Sequence, residues 1–327
     1  MIQQLLDWAS QRGYRIAWGP ESLVEDACRE ISARTAGLEI DGQLFEDQLK
    51  DIVAGRMNNA SRTVVIIAKP RSAHLVHFDI DGKDLAALLP PTYFRYRATF
   101  EEVRLDLAAN GLPGAQVEFL TAPLKATASR LGLVYYGRNN ISYAPGLGSY
   151  IQLCGYLTDA KLPERNAAVV GPGSLLPECE GCSICMHTCF NGAITEDRVL
   201  LRAERCLTYL NENPGSWPEW VNPKAHNSLL GCLDCQRACP VNPELTVEDT
   251  GVRFSASETK VLLSGDATMP GAGTENGIRS KLAWLGQPAV ESLLGRNLRA
   301  LMQSGNSVPA ASGRIRQPEF ARQSPMR

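Results

Sequence analysis

Four cysteines crowd the stretch "CEGCSICMHTCF" as Cys179-x2-Cys182-x2-Cys185-x3-Cys189. A second set reads Cys232-x2-Cys235-x3-Cys239 followed by Pro240, with Cys206 upstream. Thiolates at these intervals suit one chemistry, the holding of iron–sulfur cubanes. A C-x2-C-x2-C loop curls around one cube and offers three sulfurs to three irons. The next cysteine opens a helical turn that points away and serves the neighbouring cluster.

Applied in both directions, this crossing assigns Cys179, Cys182, Cys185 and Cys239 to one 4Fe–4S cluster. Cys189, Cys206, Cys232 and Cys235 then hold the other, and no ligand is left over. Two structural zincs are the alternative use of eight cysteines, since zinc suits C-x2-C pairs. The close triplet and the repeated C-x2-C-x3-C unit fit crossed cubanes better. The proline usual after the fourth cysteine is Phe190 in the first set and Pro240 in the second, which alters a turn and not the ligands.

The other two of ten cysteines, Cys28 and Cys154, fall in a helical pattern and an apolar strand. Both read as buried thiols. His187 lies in the cluster loop, where it either bonds a sulfide or faces solvent. His74 and His77 fall on opposite faces of any extended strand and read as ordinary.

The elements that must position these ligands come from a chain of 327 residues, long enough for two or three compact units. Apolar residues make up 44% and charged residues 21%, as in a globular protein with a full core. With 33 basic against 35 acidic residues, whole-molecule attraction to nucleic acid is not expected. No apolar run approaches the roughly 20 residues that span a bilayer, and the first residues lack the apolar block of a signal peptide. The expected location is the cytoplasm, where thiols stay reduced and clustered cysteines bind metal.

Residues 1–168 alternate between helical and strand patterns. "IQQLLDWASQRG" and "SLVEDACREISARTAG" are helical, the second stopping at Gly37. "RTVVIIAKP" is the clearest buried strand, and "HLVHFDIDGKD", "AQVEFLTAP" and "SYIQLCGYL" follow as strands. The fold class expected is α+β. A reductase-like α/β domain over 1–168 precedes a bacterial-type ferredoxin domain with two 4Fe–4S clusters over 169–247. Helices over 248–304 follow, the first opened by the capping box "SASE" at Ser255–Glu258. The Ser/Pro/Arg-rich tail over 305–327 reads as disordered.

"LGLVYYGRNNISYAPGLGSYIQLCGYL", the cluster segment and "CLTYLNENPG…LLGCLDCQRACPVNPEL" together resemble the epoxyqueuosine reductase family, which is related to reductive dehalogenases. The likeness covers residues 115–245 well and 1–115 loosely. It implies that a low-potential donor of ferredoxin or flavodoxin type feeds electrons through the clusters to cobalamin. Reductive deoxygenation or elimination on a small molecule or modified nucleoside then follows. By position the resemblance assigns Ser142, Leu153 and the stretch Tyr209–Asn213 to the corrin pocket, with Arg138 at its rim. Gly132 and Gly137 serve either the turn or the pocket.

Two departures stand out. The family's proton donor is an aspartate three residues before a proline, and that position is Leu120 here. Glu118, two residues earlier on the same strand face and about 7 Å away, is the candidate replacement, provided burial raises its pKa. Phe100 and Glu101 fall where polar, base-recognising groups are expected. The expectation is therefore a cytoplasmic reductase acting on something other than tRNA. Its rivals are an electron carrier that has lost cobalamin and a true epoxyqueuosine reductase. A flavin in the first domain finds no Gly-rich phosphate loop to support it.

Overall fold

The computed structural model describes residues 1–37, 40, 42–54, 62–163, 174–196, 201–264, 275–287, 291–305 and 313–315. These form two compact units that interleave along the chain. The first comprises Met1–Pro70, Ala98–Cys182 and Glu196–Leu201, and the second Arg71–Arg97, Ser183–Thr195 and Arg202–Arg327.

The first unit is built on the run of apolar residues in the strand Thr63–Pro70. Val64 through Ala68 are completely buried, which requires cover on both faces of their sheet. Alternation sends Val64, Ile66 and Ala68 into one core and Val65 and Ile67 into another. The sheet has the order Arg15–Pro20, Thr63–Pro70, Ile151–Thr158, Val117–Phe119, with every pairing antiparallel. The helices Ser22–Ala36 and Leu124–Arg130 contribute Val24, Cys28 and Ala128 to the first core. The helix Ile2–Gln11 brings Leu5 and Trp8 to the second, which Val103 and Leu107 complete. Both predicted thiols are buried there, Cys28 at 9% exposure and Cys154 at zero.

The second unit has its own four-stranded sheet, ordered Gly313–Ile315, Leu245–Phe254, Ala73–Ile80, Lys83–Leu89. This arrangement corrects the sequence boundaries. Residues 71–97 leave the 1–168 interval because Ala73–Ile80 pairs in parallel with Leu245–Phe254, and Phe78 stacks on Phe254 at 4.9 Å. Gly313–Ile315, inside the tail read as disordered, is an antiparallel edge strand; the rest of 306–327 lies outside the described residues. His77, buried beside Phe78, sits 2.8 Å from Asp84 and 3.3 Å from Asp249.

The helix Ala256–Ser264 opens on the predicted capping box. Ser255 Oγ accepts from the Glu258 amide, and Glu258 accepts from the Ser255 amide. With the helices Glu275–Leu285 and Glu291–Ser304 it buries Leu262, Ile278, Leu282, Leu294 and Leu298 against the sheet. No described helix is long and apolar enough to cross a membrane.

Candidate metal centre

In the second unit two short helices carry the cysteines toward one another. Ile184–Thr188 holds Cys185 and leads into Cys189; Asp234–Arg237 holds Cys235 and leads into Cys239. Each is about one turn long because the C-x2-C-x3-C spacing needs only that much helix, and the two pack together.

Cys235 is the meeting point. Burial pushes its thiol far up, and the neighbouring Cys232, Cys206, Cys185 and Cys189 push it further. Cys206 in turn feels burial first and Cys189 among its neighbours, and Cys232 feels burial, Asp234 and Cys206. Thus cysteines of both predicted sets, Cys185 as well as Cys189, Cys206 and Cys232, lie around Cys235. Among the described residues no three His, Cys, Asp or Glu gather tightly enough to hold a single metal ion.

Donors already point at the sulfurs. The Ala193 amide lies 3.3 Å from Cys189 Sγ, and Asn227 Nδ2 lies 3.2 Å from Cys232 Sγ. Asn227 is itself fixed, giving a bond to the Ala225 carbonyl and taking one from the Leu233 amide. Hydrogen bonds of this kind to a ligand's sulfur orient it and tune the potential of a bound cluster. His187 turns its Nδ1 to the Ser183 carbonyl at 2.9 Å and is exposed, which settles that choice for solvent. Phe190, in the proline position, is also exposed.

Cys206 is held from below. It precedes the helix Leu207–Glu212, whose last turn leaves carbonyls without partners. Arg296 of the Glu291–Ser304 helix fills them: Nη2 bonds Leu210 and Asn211 oxygens at 2.9 and 3.2 Å, and Nη1 bonds those of Asn213 and Gly215 at 2.9 and 2.6 Å. The fully buried Asn297 adds bonds to the Asn211 and Leu229 carbonyls. Gly231, immediately before Cys232, has φ +66°, and a Cβ there would lie 2.6 Å from the Tyr93 hydroxyl. That hydroxyl donates to Glu212, whose carboxyl is raised by burial despite the bond. Tyr209 and Asn213, the predicted corrin contacts of this unit, flank the same helix end, with the Asn213 side chain bonded to the Tyr209 carbonyl.

The first unit holds Cys179 and Cys182, and Arg138 meets Cys179 directly. Its backbone amide lies 3.4 Å from Cys179 Sγ, and Nη2 donates to the Cys179 carbonyl at 3.0 Å. Arg138 thus attends a predicted cluster ligand. It sits in a hairpin loop between the strands Tyr135–Tyr136 and Ser142–Tyr143. Gly137 serves the turn, since a Cβ would lie 2.4 Å from the Tyr143 ring; Gly132, at φ +67°, ends a helix. Ser142 is buried and its hydroxyl has no partner among the described residues. Leu153 is partly buried on the strand Ile151–Thr158, against the first core.

The candidate proton donor does not meet its condition. Glu118 stands on the edge strand with its side chain 58% exposed and ion-paired to Arg62 at 2.6 Å. Leu120 is buried against Gly155. Phe100 packs beside Tyr156, and Glu101 is engaged by Arg104, so neither is placed as a polar recognition group.

The model of the 4Fe-4S double cluster binding domain matches residues 178–242. Among curated proteins, the epoxyqueuosine reductase of Burkholderia pseudomallei is 30% identical over 245 residues, covering 72% of this chain and 56% of that protein. The Aliivibrio fischeri enzyme is 27% identical over 243 residues, covering 74% and 57%. The Escherichia coli enzyme reaches 34% over 134 residues, covering 39% and 33%. The matches thus span about half or less of these relatives' lengths.

Among solved structures, an epoxyqueuosine reductase with an epoxyqueuosine-modified tRNA-Tyr stem loop superposes with a TM-score of 0.59 at 18% identity, covering 92% of this chain and 80% of that one. A Bacillus subtilis epoxyqueuosine reductase, with its catalytic aspartate loop swung out of the active site, gives 0.53 at 16%, covering 92% and 81%. These structural likenesses are likenesses of fold. With the double-cluster motif complete and relatives about 30% identical over most of its length, the chain is similar to the epoxyqueuosine reductases.

Proposed function

We propose that this protein is an iron–sulfur, cobalamin-dependent reductase that passes electrons from a low-potential donor through two 4Fe–4S clusters to a substrate bearing a removable oxygen or halide. The observation that carries this reading is the match of the double-cluster domain to residues 178–242, whose Cys185, Cys189, Cys206 and Cys232 gather around Cys235. In this reading Cys189, Cys206, Cys232 and Cys235 hold one cluster, and Cys179, Cys182, Cys185 and Cys239 the other. The amides of Ala193 and Arg138 and the side chain of Asn227 steady the sulfurs and stabilise added negative charge on reduction.

The first unit fits a corrinoid in one respect that can be checked on its residues. Ser142 buries a hydroxyl with no partner among the described residues, which is unfavourable unless another group satisfies it. Of the residues that the resemblance assigns to the group, Arg138, Ser142 and Leu153 lie in the first unit. Cobalamin, when bound, supplies a low-potential cobalt able to break carbon–oxygen or carbon–halogen bonds. The protein's share is to orient the substrate, exclude water and deliver protons. Leu120 has no proton to give and Glu118 Oε2 is tied to Arg62, so the donor lies elsewhere than in the family.

The relatives favour a second reading, in which the substrate is epoxyqueuosine in tRNA and the donor has moved. Protein loaded with clusters and cobalamin, reduced anaerobically, should be offered an epoxyqueuosine stem loop and a panel of small epoxides and organohalides. Product lacking the oxygen or halogen, formed only when cobalamin is present, is expected. Product from the stem loop selects the second reading. Fully loaded protein that converts none of them would overturn the reductase assignment in favour of an electron carrier.

A further inference from the structure

Lys125 is a cation that the cluster chemistry does not use. It lies on the helix Leu124–Arg130, donates to the Asn140 carbonyl at 2.9 Å and sits 5.2 Å from the centre of the Tyr136 ring. Among the described residues no carboxylate reaches it. Glu30 of the Ser22–Ala36 helix faces this corner, yet Arg34 at 3.0 Å and Arg130 at 2.7 Å already occupy it. The strand Ile151–Thr158 also packs against this helix, and its Ile151, Leu153 and Leu157 join the same apolar core as Ala128. Cations therefore outnumber carboxylates around Tyr136.

The hairpin adds two unsatisfied groups. Tyr136 pairs with Ser142 across the strands, so their side chains share a face. Ser142 is 8% exposed and its hydroxyl has no partner among the described residues. Asn140, held at φ +58°, buries an amide oxygen that also lacks one. An amide can turn to present its N–H2, which gives three donors of different kinds around one corner: ammonium, hydroxyl and amide.

We propose that Lys125, Ser142 and Asn140 form an oxyanion subsite in the first unit that takes a phosphate group. The bound anion would neutralise Lys125, whose ammonium burial alone lowers to about 8, and would satisfy both orphaned groups. The subsite does not depend on the corrinoid reading. The phosphate could belong to the nucleotide loop of a corrinoid or to a phosphorylated substrate.

Calorimetric titration of the cluster-loaded, corrinoid-free full chain with inorganic phosphate tests this. Saturable binding is expected, weakened at least about tenfold in Lys125→Met and severalfold in Ser142→Ala, with Lys125→Arg retaining most of it. Iron content of each variant verifies that it is folded. Sulfate, whose charge is constant above neutrality, should bind well at pH 7 and lose affinity as the pH rises through about 8, where Lys125 gives up its proton. Competition of phosphate with cobalamin but not with cobinamide would identify the nucleotide loop as the source; competition with a 5′-phosphorylated oligonucleotide would identify the substrate. No saturable binding, or equal binding by Lys125→Met, would overturn the proposal whether or not cobalamin binds.

Discussion

Cys206 stands apart in sequence from the two motifs, yet its thiol lies among those of Cys189, Cys232 and Cys235. Cys206→Ala should therefore remove one cluster and leave the other, so that iron and sulfide per chain fall by about half. A full complement of iron in this variant would refute the ligand set. Glu118 makes the opposite case. It pairs with Arg62 on an exposed edge, and such pairs contribute about 0–1 kcal/mol. Glu118→Gln should shift the midpoint of urea unfolding little and leave cluster content intact; a large loss of stability would mean that the pair is buried in solution. The double-cluster domain was legible because the spacing of its cysteines is itself the geometry of a cubane. Lys125 and Asn227 were not legible. A lone lysine or asparagine has no spacing, and its meaning comes from neighbours that only the fold brings near.

At the scale of elements, the helix Leu207–Glu212 depends on a partner far away in sequence. Arg296 satisfies four of its terminal carbonyls and those just beyond. Arg296→Leu leaves them without a charged donor, at a cost of about 1.5–3 kcal/mol. The expected result is a lower thermal midpoint with preferential loss of the cluster that uses Cys206; unchanged iron and midpoint would show that water replaces the guanidinium. Helices and strands were read well wherever period and caps agreed, as at Thr63–Pro70 and the Ser255 capping box. The pairing of Ala73–Ile80 with Leu245–Phe254 was not read. A parallel pair joined through most of the chain leaves no turn signature, and so residues 71–97 were assigned to the wrong neighbours.

For the whole molecule, two buried histidines give folding an acid limb. Burial lowers His74 to about 4, against the opposing pull of Glu248, and lowers His226 to about 4 with help from Arg296. Both are neutral when folded, while the unfolded chain takes up protons below about 6.5. Their stabilisation is thus complete above that value and is lost as the pH falls toward about 4, by ~1.4 kcal/mol per histidine for each pH unit. Urea unfolding at pH 7 and 5.5 should show this decline, and His74→Asn should reduce it; the same decline in the variant would assign it to other groups.

The central claim is that this chain joins two clusters to a corrinoid, and one anaerobic measurement tests it most directly. Protein reconstituted with iron and sulfide is titrated with cob(II)alamin while the cobalt EPR signal is followed. The account predicts about eight irons per chain and conversion of the cobalt signal to that of a bound, base-off form at one equivalent. A full complement of iron with the signal of free cob(II)alamin throughout would contradict it.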